Sequence, residues 1–365
     1  MSKSRRKKAA AATPWWAWAW IALAWLFLLT TIVFGAAGPL GAAAAAALIA
    51  VVFAAVYHAE VIAHRIGEPF GTLVLAIAVT VIEVALIVSV MLAAPGDKME
   101  LARDTVFAAV MIVCNGIVGL CLLAGGVRHR EQGFQIHGAS AALAVLTALT
   151  VLTLILPNAT ISTPGPVYNT PQLVFVACVS LLLYGSFVFV QTVRHRDYFL
   201  PEAGGDAAHA PPPAGTTAAI SFGLLLAALV AVVGLAKALT PALEAGVLRL
   251  GVPNAVVGIV IAALVLLPEG LAAFKAAHAD RQQTSLNLAL GSALATIGLT
   301  LPAAAVVSIL LRQPLVLGLS AKEGILLVVT LFLSAITLGT GRTTVLQGIV
   351  HLVIFAVFLF FAVVP

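Results

Sequence analysis

The sequence predicts an all-α polytopic membrane protein of about eleven transmembrane helices, and three observations predict it. Of the 365 residues, 62% are hydrophobic and 9% charged, too little polar surface to cover a soluble globule. Cutting the chain at Gly, Pro and charge clusters leaves eleven apolar stretches of spanning length. Two of these carry a single glutamate near their middle, Glu83 and Glu269, and a carboxylate at bilayer depth is costly enough to mark a functional site.

The first stretch, 15–36, follows a basic tail, 1–14, that holds Lys3, Arg5, Arg6, Lys7 and Lys8. Its apolar run is long enough to span and no convincing cleavage site follows, so it reads as a helix rather than a secretory peptide. The second stretch, 40–62, is the least regular, because it ends in His58, Glu60, His64 and Arg65. The third, 72–94, carries Glu83, and the fourth, 105–127, carries Asn115, Gly116 and Gly119. Stretches 139–156 and 172–193 complete the first half. Segment 194–215 is polar, then Gly, Ala and Pro-rich, the composition of a poorly ordered connection. Beyond it lie 217–238, then 252–276 with Glu269 directly after Pro268, and 285–311 with Asn287, Gly291, Ser292, Thr296 and Gly298. Stretches 323–339 and 344–364 close the chain. Cys114, Cys121 and Cys178 fall inside apolar runs without metal or disulfide spacing and read as small core residues.

Charge sets an expected orientation. With the N-terminus in the cytoplasm, 13 of the 19 Lys and Arg lie on inside segments, and basic residues favour the cytoplasmic side. Without the five in the tail the count is 8 against 6, so the tail carries most of the asymmetry. The expectation is a bacterial inner-membrane protein with its N-terminus inside and its C-terminus outside. The net charge of +5 is then an orientation signal and not a nucleic-acid one.

Counting outward from the linker, 194–216, gives five spans on each side and one extra helix, 15–36. The predicted organisation is therefore a first five-helix repeat, 40–193, and a second, 217–365. Glu83 and Glu269 then sit on the second helix of each, 186 residues apart. An odd number of spans separates equivalent positions, so the repeats are inverted. Inverted repeats whose charged groups meet near the midplane are an architecture of secondary transporters.

The next helix of each half supplies candidate ligands. Asn115 and Gly116 in one, and Asn287, Ser292 and Thr296 in the other, are small or oxygen-bearing residues that permit close approach or complete a cation's shell. Pro268 has no N–H, which leaves the Leu264 carbonyl as a further candidate. A proton and a cation compete for the same carboxylate oxygens, which is sufficient chemistry for exchange. Two carboxylates match one divalent ion, and hard oxygen donors favour calcium; sodium and potassium also suit such a site. No cofactor is expected beyond the transported ions, and the partners are Ca2+, H+ and the lipid bilayer, with no nucleic acid. Composition and spacing leave the oligomeric state open.

Two readings from other classes compete. An intramembrane metalloprotease would need HExxH, which is absent, and His58 and Glu60 have the wrong spacing. A passive cation channel fits polar groups on a membrane path, but one acid per inverted half suits exchange better than a continuous pore.

Four segments in order carry a resemblance: HRIGEPFGTLVLAIAVTVIEVALI from His64, LLPEGLAAFKAA from Leu266, NLALGSALATIGLTLPA from Asn287 and TGRTTVLQGIVHL from Thr340. Together they resemble the bacterial calcium:proton antiporters of the ChaA type, within the calcium/cation antiporter superfamily. The resemblance runs from about His64 to the C-terminus. It implies a ten-helix core of two inverted five-helix repeats with an additional helix, and a cation site between the motif helices that exchanges calcium, sodium or potassium for protons. Carried over, the motif glutamates are Glu83 and Glu269. The superfamily's serine-x-proline-glutamate form is incomplete here, since Ile82 precedes Glu83 and neither site has the serine. The linker has only Asp197, Glu202 and Asp206 as acids, unlike the strongly acidic linkers of some relatives.

Remaining polar residues have a functional and a plain reading. Glu60 and Glu68 flank the turn between the second and third spans, as a cation or proton access point or as solvated interfacial charges. Glu68-Pro69 also suits a helix start. Arg342, in the turn before the last span, is a candidate gate or an orientation anchor. His351 and Gln347 are expected to hydrogen-bond to neighbours, with a proton relay as the functional alternative for His351.

Overall fold

The computed structural model describes residues 13–67, 78, 80–88, 100–200, 213–251, 253 and 255–364. Among these, eleven helices follow one another. They are α1 (Trp15–Phe34), α2 (Gly38–Ile66), α3 (80–88), α4 (Leu101–His129), α5 (Ile136–Ala159), α6 (Thr170–Arg194), α7 (Gly215–Leu250), α8 (Ala255–His278), α9 (Gln282–Leu311), α10 (Ala321–Leu338) and α11 (Val345–Val363). All but α3 are long and apolar enough to cross a bilayer. Each falls on one of the eleven predicted stretches, so the chain is a multi-span membrane protein.

Starts and stops follow local chemistry. Asn169 with Gln172, Ser320 with Glu323 and Thr344 with Gln347 form capping boxes at α6, α10 and α11, each satisfying backbone N–H groups that a helix start leaves unpaired. Gly35 and Gly67, at φ +78 and +79, end α1 and α2, a left-handed region that glycine enters without steric cost.

Three expectations change. Helix α2 runs unbroken through His58, Glu60, His64 and Arg65 to Ile66, because its long Ala-rich start propagates helix and no breaker precedes Gly67. Helix α7 continues well past 238 with Pro241 inside it. The predicted loose connection begins with a 3-10 turn, Arg196–Phe199, whose Phe199 is buried edge-on against Phe187 at 5.7 Å; residues 201–212, like the basic tail 1–12 and the Glu68–Pro69 helix start, lie outside the described residues.

The chain forms two compact units. One holds α1, α2 and α7 as far as Leu239. Inside it Trp16 meets Tyr57 and Trp20 meets Phe53, and the Trp25 indole N–H donates to the Ala227 carbonyl at 3.2 Å. The other holds α3 to α6, the rest of α7, and α8 to α11. Its centre is α4, where every residue of Leu101–Met111 is buried and which packs along α8 and α11. Two short antiparallel strands, β1 (Gln132–Gly133) and β2 (Arg342–Thr343), tie the α4–α5 turn to the α10–α11 turn in the register Gln132↔Thr343. At the opposite helix ends, Asn158 Nδ2 donates to the Leu319 carbonyl at 2.7 Å.

Outward faces remain apolar, with Phe175, Leu182, Ile325 and Phe332 all exposed, as lipid contact requires. Cys178 belongs to such a face. Cys114 and Cys121 are buried as expected, but Cys178 is exposed, because α6 buries the stripe Leu173, Val176, Ser180, Tyr184 and Phe187 and position 178 is off it. A helix apolar all round does not announce in its sequence which side faces lipid.

Candidate cation site

Glu83 sits on α3 between Ile82 and Leu86, and like both of them it is about 2% exposed or less. Its Oε2 accepts a hydrogen bond from the Thr296 hydroxyl of α9 at 3.0 Å. Glu269, partly exposed on α8, accepts one through its own Oε2 from the Ser292 hydroxyl. Ser292 and Thr296 are four residues apart and so share a face of α9. One turn of α9 therefore grips two carboxyls that come from two other helices.

Thr300 lies a further turn along α9, and the hydroxyls that hold the two glutamates stand one helical turn apart. The Thr300 hydroxyl and Glu83 Oε1 are both buried with no hydrogen-bond partner. Such atoms are costly unless something satisfies them. Among the described residues, Arg103 pairs with Glu100 and Asp104 and Arg342 with Glu131, and no Lys or Arg pairs with Glu83 or Glu269.

The local backbone helps to aim these groups. Residues Thr296–Thr300 form a π turn within α9, a widened turn that rotates side chains out of the ordinary register and is frequent at functional sites. A second π turn, Ile112–Ile117, interrupts α4. Pro268 lies inside a continuous α8, so the Leu264 carbonyl lacks its usual i+4 donor.

The other candidate residues take different places. Asn115 lies in the α4 π turn, buried, with its amide engaged by Thr330 and His351. Gly116 faces the Phe355 ring, which a Cβ there would meet at 3.2 Å, so its part is close helix packing. Asn287 donates to the Phe199 carbonyl at 2.6 Å and accepts from Gln283 at 2.9 Å, which occupies its amide more than a turn from Ser292. Glu60 is exposed on α2 and Glu68 lies outside the described residues. Arg342 pairs with Glu131 at 3.7 Å, both well exposed. The structure thus joins Glu83, Glu269, Ser292 and Thr296 and adds Thr300, which the spacing 292, 296, 300 of hydroxyl residues already marked in the sequence.

The family model described as "Sodium/calcium exchanger protein" matches residues 37–193 and 220–364. The y4hA protein of Sinorhizobium fredii is 53% identical over 317 residues, 86% of this chain and 86% of that one. The "Sodium-potassium/proton antiporter ChaA" of Escherichia coli is 37% identical over 312 residues, 84% of each chain. Among solved structures, native YfkE superposes with a TM-score of 0.73 at 17% identity, covering 96% of this chain and 99% of that one. The H+/Ca2+ exchanger CAX superposes at 0.71 and 16% identity, covering 94% and 88%. At those identities the likeness is one of fold.

Proposed function

The chain belongs to the sodium/calcium exchanger protein family, and on that premise we propose that it carries out its cation:proton antiport through the Glu83–Glu269 pair, with Ca2+ as the preferred cation. One observation carries the reading: two carboxyls from different helices, Glu83 buried and Glu269 partly exposed, share a hydroxyl-bearing turn of α9, and among the described residues no Lys or Arg pairs with them.

Two negative charges so placed would repel strongly in a low dielectric and lack a fixed counter-charge. They are stable when protons neutralise them or when a cation does. Both ligands use the same oxygens, so binding one expels the other, and only neutralised forms change access readily. The ligand set is all oxygen: two carboxyls and the hydroxyls of Ser292, Thr296 and Thr300. Hard oxygen donors and two negative charges suit calcium. Sodium or potassium is the second reading, favoured by the E. coli relative named for those ions.

The wider organisation follows the same reading. Glu83 and Glu269 occupy second helices of two inverted five-helix repeats, α2 to α6 and α7 to α11. The π turns of α4 and α9, the third helix of each, support that pairing. The bilayer would be a bacterial inner membrane with the N-terminus inside, on the charge pattern, and the protein an exchanger and not an enzyme.

Purified protein in sealed vesicles containing a pH dye tests the reading. Added Ca2+ should drive protons out of the binding sites and across the membrane, with no unlimited conductance in a planar bilayer. Glu83→Gln and Glu269→Gln should each abolish this exchange. Near-normal transport in either variant removes that residue from the mechanism, and a panel with Na+ and K+ decides between the two readings.

A further inference from the structure

Away from the carboxyl pair, α4, α10 and α11 share a sealed polar chain. Asn115 and His351 are 0% exposed, Thr330 0% and Thr337 5%. His351 Nε2 lies 3.2 Å from the Thr337 hydroxyl and Nδ1 3.1 Å from Asn115 Oδ1. Asn115 Nδ2 is 2.8 Å from the Thr330 hydroxyl, which in turn is 3.4 Å from the Met111 sulfur.

Proton positions in this chain follow by elimination. The Thr337 hydroxyl has one hydrogen-bond partner, His351 Nε2, so its proton points there and Nε2 accepts. A neutral imidazole then carries its proton on Nδ1 and donates to Asn115 Oδ1. That fixes the amide, whose Nδ2 donates to Thr330, whose own proton goes to the Met111 sulfur. The Cys114 carbonyl, an acceptor on the same helix as Asn115, also faces the ring. Reversing every bond would leave the Thr337 proton without a protein acceptor, since His351 Nε2 is its partner. Every donor is used in one polarity only.

The clasp closes on the α4 π turn. Asn115 is inside that turn, and the turn's last residue, Ile117, presses on Gly270, where a Cβ would meet Ile117 Cδ1 at 3.0 Å. Ile117 also packs against Cys121, Ala273 and Ala277. Gly270 is the residue after Glu269.

We propose that His351, as the neutral Nδ1–H tautomer, is a positioning residue for the cation site: it fixes Asn115 and the α4 π turn, and through Ile117 on Gly270 it sets where Glu269 presents its carboxyl. This rests on Glu269 being a cation ligand. It makes the histidine a brace and not a carrier of transported protons.

The test compares half-saturating Ca2+ and the H+/Ca2+ ratio in vesicles for three variants. His351→Leu strands the Asn115 oxygen and the Thr337 hydroxyl and should raise half-saturating Ca2+ about tenfold while leaving the ratio unchanged. His351→Gln offers one donor and one acceptor and does not titrate, so it should stay within about twofold of wild type with the ratio intact. If His351→Leu fails to fold, Thr337→Val, which removes only the donor to Nε2, should still raise half-saturating Ca2+ a few-fold. Loss of proton coupling in His351→Gln, with Ca2+ still moving, would make the ring a proton carrier and overturn the proposal. Unchanged half-saturation in His351→Leu or Thr337→Val would overturn it as well. If Glu269→Gln abolishes exchange in the same assay, such a failure belongs to the brace alone; if Glu269→Gln exchanges normally, the site reading has failed instead.

Discussion

Replacing Thr296 by valine isolates the hydroxyl that holds Glu83. The side chain is nearly isosteric and only 3% exposed, so neither a cavity nor a solvent molecule stands in for what is lost. Glu83 Oε2 accepts its hydrogen bond from this group at 3.0 Å, and Oε1 is buried with no partner. Removing the donor therefore leaves the carboxyl without a bonded hydroxyl. A hydrogen bond to a charged group contributes about 1.5–3 kcal/mol, and each 1.4 kcal/mol is about a factor of ten in an equilibrium constant. The cation-loaded state contains the ionised carboxylate, so half-saturating Ca2+ in Thr296→Val should rise about ten- to hundredfold, with the maximal rate less affected. Thr296→Ser keeps the oxygen and should remain near wild type. Initial rates of Ca2+-driven proton movement against Ca2+ concentration give both values, and thermal unfolding in detergent checks that the variant is folded. A Thr296→Val curve superimposable on wild type would refute the idea that α9 holds Glu83 for the ion.

A Cβ at Gly298 would lie 2.6 Å from the Tyr184 Cβ, so Gly298→Ala should destabilise the protein by about 1–3 kcal/mol, read as a lower unfolding temperature. Arg103 and Asp104 are each 8% exposed and joined at 2.8 Å; Arg103→Leu should cost about 3–5 kcal/mol by stranding a buried charge, and adding Asp104→Leu should recover much of it. Lower pH should raise half-saturating Ca2+ without lowering the rate at saturating Ca2+, because protons and the cation compete for the Glu83 and Glu269 oxygens; a pH-independent half-saturation would refute that competition.

Much of this fold was legible because a bilayer admits few solutions. A chain whose backbone must satisfy itself in hydrocarbon becomes helices, and their limits fall at Gly, Pro and charges, so eleven stretches are countable in the sequence. Glu83 and Glu269 stood out for the same reason: a carboxylate is conspicuous among leucines. What could not be read was direction around each helix. Ser292 and Thr296 were recognisable as donors, but so were Asn115 and Asn287, and only packing shows that one amide closes a clasp with His351 while the other caps Phe199. Gly116 was open to two roles, close helix approach or lining the site, and the Phe355 ring against it is the first. The exposed side of α6 at Cys178 was hidden in a helix apolar all round, and the order at Phe199 was hidden inside a segment whose later residues are rich in Gly, Ala and Pro.

The missing serine of the family motif has a structural counterpart. Glu83 keeps a hydroxyl residue in the motif position, Thr80, whereas Glu269 has Leu266 there, and both carboxyls receive a hydroxyl from α9, through Ser292 and Thr296. The π turn of α4 and the residue before it carry Asn115 and Met111, and these bond Thr330 and His351. Because α9 reaches both carboxyls, a small rotation of that helix changes the grip on Glu83 and Glu269 together. A cation that takes Glu83 Oε1 and the Thr300 hydroxyl as ligands would bind one arrangement of α9 better than another, which is the differential binding that any change of access must draw on.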